Sequence, residues 1–321
     1  MKNLDTVKKS RLIAEPLTLD GHNPEVMDVW YKGVELCNRQ LGKGRFFGKA
    51  FRAVLDDSLF LIAGYYNNIP TFGEGSIDTR LHFAVQMNRN GSLRLNGESL
   101  DKPSIAVHGV NKELVYHFGE SHTSWLTIQI KPEDFEKASF AIAPGHFSIV
   151  RTDPAEFAQL ISELQLMLEA LHNNNAEGRG NLDVDMAKGR LISLFSLLIN
   201  KDSKNEKLNN AEYLRMVCLL RDYMEANLEN PVTMMDLCSL SGKSESTIRR
   251  AFQRIYGISP RRALTVHRLN ATYLKLRQTP PSKTTVSNIA LRYGFLHFGR
   301  FSAAYKEHFG EYPSETLARD L

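Results

Sequence analysis

Arg249 and Arg250 stand side by side in a segment, Ser244–Ile255, whose apolar residues Ile248, Phe252 and Ile255 recur at helical spacing. That periodicity leaves Ser246, Thr247, Arg249, Arg250 and Gln253 on the other faces of the helix. A guanidinium is a planar fork that suits guanine O6/N7, and as a fixed charge it suits phosphate equally well. A second set follows about fifty residues later. There Phe301, Tyr305 and Phe309 pack inward, and Gly299, Arg300 and Ala303 face out. Arg300 brings a charge, whereas Gly299 and Ala303 have no polar side chain.

The elements that must position these residues are legible. Thr233 caps a short helix, Met234–Leu240, with Asp236 in the first turn, near the positive end of the helix dipole. Ser241-Gly242-Lys243 is the turn, since Gly allows a left-handed corner, and Ser244 caps the following helix. A short helix, a Gly-containing turn and a second helix with basic outer positions describe a helix-turn-helix. The pattern recurs after a long helix, Pro260–Gln278, that is broken by Thr279-Pro280-Pro281-Ser282. Val286–Tyr293 is the next short helix, Gly294 its turn, and a last helix runs to about His308, ended by Gly310 and Pro313. Two such units on a rigid linking helix are expected to reach successive major grooves, about 34 Å apart.

Charge supports a polyanionic partner. The 321-residue chain has a net charge of only +4. Residues 243–300, however, hold 12 Lys and Arg against one acid, Glu245. No apolar run is long enough for a membrane helix, and no secretory signal opens the sequence, so a cytoplasmic protein is expected. Cys37, Cys218 and Cys238 lie far apart with no CxxC pairing, which argues against a disulfide framework or a cysteine zinc site.

The first 150 residues read mostly as strands: Arg80–Met87, Ser92–Leu95, Ser104–Val110, Leu114–Phe118 and Trp125–Ile130, separated by Gly, Asn, Ser and Pro. Two amphipathic helices follow. Asp153-Pro154 opens the first, and the polar stretch Asn173–Asn181 separates it from a second with Leu191, Leu194, Phe195 and Leu198 on one face. The polar run Asn200–Asn210 reads as a linker. The expected fold is α+β. Residues 1–200 form a β-rich sandwich or barrel with helices, 201–210 a linker, and 211–321 an all-α unit of two helix-turn-helices joined by a long helix.

Residues ~213–318 resemble the DNA-binding domain of the AraC/XylS family of bacterial transcription regulators. The resemblance is carried by SGKSESTIRRAFQRIYGISP (Ser241–Pro260), Arg268-Leu269, Ala271, NIALRYGF (Asn288–Phe295) and FSAAYKEHFGEYPSETL (Phe301–Leu317). It implies a cytoplasmic regulator, an activator by family habit, that binds double-stranded DNA and contacts RNA polymerase. The family's base-reading places fall on Ser246, Arg249 and Arg250 and on Gly299, Arg300 and Ala303, with His297 or Phe298 at the backbone. An N-terminal β-rich domain of cupin-like layout that senses a small-molecule effector or forms a homodimer is also implied. The layout and the His297–Leu317 ending are similar to regulators of ethanolamine utilisation.

Other chemistry finds little footing. His82, His108, His117, His122 and His146 are scattered and form no HxH with a following Glu, so neither a metal nor another cofactor is expected. Gly42-Lys43-Gly44-Arg45 lacks the spacing of a phosphate-binding or dinucleotide loop and reads as a loop. No nucleophile–base motif stands out, and an enzyme with an accessory DNA-binding part is the weakest alternative. A DNA-binding regulator governed by a partner protein or by its own abundance is the stronger one.

Overall fold

Residues 13–20, 34–77, 79–138, 141–177, 184–201 and 210–318 are described in a computed structural model. Twelve strands among them pair into two antiparallel sheets. The larger runs in the order β1 (Ile13–Asp20), β3 (Phe47–Val54), β4 (Leu59–Tyr66), β11 (Thr123–Ile130), β6 (Leu81–Gln86), β9 (Ser104–His108) and β12 (Phe147–Arg151). The smaller is β2 (Val34–Gln40), β5 (Thr71–Ile77), β10 (Lys112–Phe118), β7 (Leu93–Leu95) and β8 (Glu98–Ser99).

The two sheets face each other across one core. Leu114, Tyr116 and Phe118 of the small sheet meet Ala84, Ala106 and Trp125 of the large one. The alternate residues of the large sheet, Phe83, Val85 and Ile128, point the other way. Three helices cover that face: α1 (Pro132–Ala138), α2 (Pro154–Glu177) and α3 (Val184–Lys201). They contribute Phe135, Leu160, Leu164, Leu191 and Phe195, and burying each such side chain stabilises the fold by about 1.5–3 kcal/mol. Coverage on both faces explains why every residue of β6 is buried. Lys188 of α3 adds a polar tie, its Nζ lying 3.0 Å from both Asp56 and Asp134.

The outer face of the small sheet carries the rest of the molecule. Leu41, Phe72 and Val115 share a core with α4 (Ala211–Ala226), α5 (Met234–Ser241), α6 (Glu245–Ile255) and α7 (Pro260–Gln278). A separate core joins the far end of α7 to α8 (Val286–Arg292) and α9 (Phe298–Phe309), through Leu269, Tyr273, Ile289, Phe301, Tyr305 and Phe309. The order of layers is helices, sheet, sheet, helical unit.

The expected strands lie where patterning placed them, and α7 spans the anticipated residues. Four details differ. α1 is a short helix with no periodic signal in the sequence, and Pro313 begins a last helix, α10 (Pro313–Leu317), as well as following α9. Pro at a first helical turn needs no N–H partner, so one residue serves both roles. α2 continues to Glu177, past its apolar stripe and into the stretch expected as a polar break. At the expected linker, Lys201 is still helical and Asn210 is buried, its Nδ2 reaching Glu98 and the Asn96 carbonyl. Residues 202–209 lie outside the described residues.

Candidate nucleic-acid interface

The first unit is built by its caps. Thr233 Oγ1 accepts from Asp236 N at 3.2 Å, and the Asp236 carboxylate accepts from Thr233 N at 2.7 Å, a reciprocal capping box that starts α5. Gly242, at φ +64°, turns the chain while its N–H returns to the Cys238 carbonyl at 2.9 Å. Ser244 Oγ then accepts from Thr247 N at 3.3 Å and opens α6. Ile248, Ala251, Phe252 and Ile255 are buried, which fixes the rotation of α6 about its own axis.

That rotation exposes Ser246, Arg249, Arg250 and Gln253, while Thr247 is half-buried with its hydroxyl 3.0 Å from Ser244 Oγ. The exposed groups are not equally available. Arg249 donates through Nε to Glu245 at 2.7 Å, one turn earlier. Gln253 Nε2 bends back to the Gly257 carbonyl at 3.0 Å. Arg250 is exposed, with no hydrogen bond or ion pair to another described residue. Arg254, on the same helix, is drawn aside to Glu98 and Asn210, each at 3.2 Å.

In the second unit Thr285 caps α8, and Gly294 makes the turn at φ +78°. A Cβ at Gly294 would meet Arg268 Nη1 at 3.0 Å, so the site is closed to side chains by conformation and by contact. Arg268 is occupied there because it also bonds the carbonyls of Leu228, at 3.1 Å, and Asn230, at 2.6 Å. A linking-helix residue thus fastens the second unit to the loop before the first. Arg292 on α8 makes a parallel tie to Glu229 at 2.6 Å.

α9 presents Gly299, Arg300 and Ala303 to solvent, with open space above Gly299. Its first turn also exposes Phe298, preceded by Leu296 and His297. Periodicity does not single out Leu296, since an isolated exposed leucine in a loop has no sequence signal. α6 and α9 between them collect every candidate residue. All are exposed except the half-buried Thr247, and Gln253, Thr247 and Arg249 are held by local bonds.

Two further polar groupings stand in or beside the sheets. Glu74, Glu225 and His267 approach within 4.8 Å of one another, but Tyr256 Oη and Arg221, at 3.2 Å, already serve the Glu74 carboxylate. Burial nevertheless pushes the Glu74 carboxyl above its usual range, with Arg221 pulling against it. Between the sheets, Gln129, His82 and His108 form one cross-strand row. Burial holds His82 at about 4 and lowers His108 well below the ordinary histidine value, so both rings are neutral. No disulfide joins the three cysteines, and burial raises the Cys218 thiol to about 12.

Comparison with known proteins finds likenesses in the same segment. Residues 237–319 match the family model described as a helix-turn-helix domain. The "Probable thc operon regulatory protein" of Rhodococcus erythropolis is 37% identical over 102 residues, 32% of this chain and 31% of that one. The "XylDLEGF operon transcriptional activator 3" of Pseudomonas putida is 26% identical over 151 residues, covering 47% of this chain and 44% of that one. Among solved structures, a probable AraC family transcriptional regulator from Rhodopseudomonas palustris is 40% identical, with a TM-score of 0.30. That match covers 32% of this chain and 94% of the other. The chain therefore spans less than half the length of these curated relatives. The class defined by fold and site is a double helix-turn-helix protein. In its C-terminal third, the chain is similar to regulators of the AraC/XylS family.

Proposed function

We propose that this chain is a sequence-specific DNA-binding transcription regulator, with activation as its mode, that sets α6 and α9 into successive major grooves of one duplex. The observation that carries the reading is the pair of helix-turn-helix units, overlapped by the matched segment from Leu237 onward, each presenting an arginine-bearing helix to solvent. Arg250 and Arg249 are the base readers of α6, with Ser246, Thr247 and Gln253 as lesser contacts. Arg300 anchors α9, and Gly299, Ala303 and the neighbouring Phe298 offer close approach and methyl contact. The division of labour is a β-rich unit over residues 1–200, a connection over 201–210 and the DNA-binding unit over 211–321. No catalytic step enters this account.

Selection of random duplexes on the full chain, followed by gel-shift measurement, tests it. A defined site bound far more tightly than unrelated DNA supports the reading. Equal affinity for all sequences counts against it.

The β-rich unit is proposed to sense a small-molecule effector. A groove of about 560 Å³ between the β6–β7 turn and α2 supports this, because it has the size of small-molecule sites. Met87, Leu100, Phe157 and Ile161 line it, and Arg89 and Lys102 stand exposed at its rim. Contact with RNA polymerase and self-association through the β-rich unit belong to the same proposal. A metabolite panel that raises the melting temperature of the full chain is the direct check, since a ligand of the native state must stabilise it. A panel without effect favours control by a partner protein or by abundance.

A further inference from the structure

We propose that Gln40 and Glu74 of the small sheet are positioning residues for DNA recognition. Each grips one helix-turn-helix unit, so the sheet sets the distance and angle between the two recognition helices. The inference rests on the DNA-binding reading above and adds to it where the spacing between half-sites is determined.

Gln40 ends β2 and is 2% exposed. Its Nε2 donates to the His308 carbonyl on α9, and also to the carbonyls of Gly42, at 3.0 Å, and Gly44, at 2.7 Å. Its own carbonyl accepts from His308 Nε2 at 3.1 Å and from Asn270 Nδ2 of α7 at 3.3 Å. A carbonyl can only accept, so His308 carries its proton on Nε2. Burial keeps the ring neutral, holding it at about 3. Just beyond, Gly44 N donates to the Glu307 carbonyl at 2.9 Å, near the end of α9. The second unit is thus held through both its linking helix and its recognition helix.

Glu74 does the same for the first unit. It accepts from the hydroxyl of Tyr256, the residue that caps the C-terminal end of α6. Arg221 of α4 meets the same carboxylate oxygen at 3.2 Å. Phe72, two residues earlier on β5, packs on the rings of Tyr256, at 5.2 Å, and His267 of α7, at 5.7 Å. Glu98 adds the tie to Arg254 of α6.

Both anchors sit on one ribbon. β2 and β5 are paired antiparallel, with Gln40 opposite Thr71 and Cys37 opposite Glu74. The anchors are three residues apart along it, about 10 Å at ~3.4 Å per residue. A hydrogen-bonded ribbon buried on the helical side adds two anchors to the linking helix and to the Arg268 and Arg292 ties, so it can fix the mutual angle of the two units. Gln40, Glu74 and Tyr256 are buried, apart from the exposed side chains proposed to meet DNA. Loss of an anchor should therefore leave each recognition helix intact and loosen only their relation.

The test uses the full chain and the operator recovered by selection, with one base pair added or removed between half-sites. One pair rotates the second half-site by about 34°, from ~10.5 pairs per turn. Wild-type protein is expected to lose at least tenfold in affinity on the shifted operators. In Gln40→Met, which keeps volume and removes the amide donor, and in Glu74→Gln, that penalty is expected to fall at least threefold, with binding to a single half-site unchanged within twofold. Tyr256→Phe, which removes only the hydroxyl that Glu74 accepts, should do the same and serves if Glu74→Gln fails to fold by circular dichroism, and Asn270→Leu, which removes the amide donor to the Gln40 carbonyl, serves if Gln40→Met fails. An unchanged spacing penalty in folded variants, a uniform loss at every spacing, or an operator with only one half-site would overturn the inference. Absence of any sequence preference in the wild type would instead contradict the functional reading itself.

Discussion

Arg250 and Arg249 differ in a way that their adjacency in sequence conceals. Arg249 is paired with Glu245 one turn back, and Arg250 bonds to no other described residue. Arg250→Ala is therefore expected to weaken operator binding by about 1–3 kcal/mol, the worth of a good bidentate base contact. Arg249→Ala should cost less, because its pairing with Glu245 must be given up on the DNA. Gel-shift titration of both variants checks the order, and equal affinity to wild type in each removes them from the site. Gly294 makes a second residue-scale prediction. Its φ is +78°, and the Arg268 guanidinium lies 3.0 Å from where an alanine Cβ would stand. Gly294→Ala is therefore expected to destabilise the second unit by about 1–3 kcal/mol, read as a lower melting temperature. An unchanged melting temperature would show that the turn tolerates a side chain.

The helices of the last third were legible because each has its own signals. Thr233, Ser244, Ser259 and Thr285 are side-chain caps at helix starts, and Gly242, Gly294 and Gly310 have positive φ at turns. These signals are local, so a single sequence carries them. Ser244→Ala is expected to cost about 1 kcal/mol, since α6 loses the acceptor for Thr247 N. Urea unfolding followed by circular dichroism measures it, and an unchanged midpoint assigns the start of α6 to packing alone. What was not legible has no local signal. α1 is too short to show a periodicity, and the end of α2 is set by backbone bonds that continue past its apolar stripe. The contacts of Gln40 with His308 join residues 268 apart, and nothing near either of them announces the other. Glu74 reads as an ordinary strand acid until Tyr256 and Arg221 are placed beside it.

At the scale of the whole molecule, layers and charge decide behaviour. Four layers share three cores, and polar groups such as His82, Gln129 and Glu74 lie buried among the layers. Burial holds His82 and His117 at about 4 and His308 at about 3, well below the ~6.5 of an unfolded histidine. Because each folded value is depressed, only the unfolded chain takes up these protons as pH falls from about 6.5 toward 4. Stability is therefore full above that window and declines through it. A melting temperature lower at pH 5 than at pH 7.5 by more than about 5 °C is expected, and a flat profile would assign the burial of these rings a smaller role. None of the helices among the described residues is long and apolar enough to cross a membrane.

The basic segment 243–300 ties the whole molecule to its proposed ligand. Titration of the selected operator and of an unrelated duplex with the full chain, across a series of salt concentrations, tests this most directly. Specific binding with one turn of DNA between two protected half-sites is predicted, falling steeply as salt rises because phosphate contacts release counterions. Affinity that ignores both sequence and salt would contradict the account.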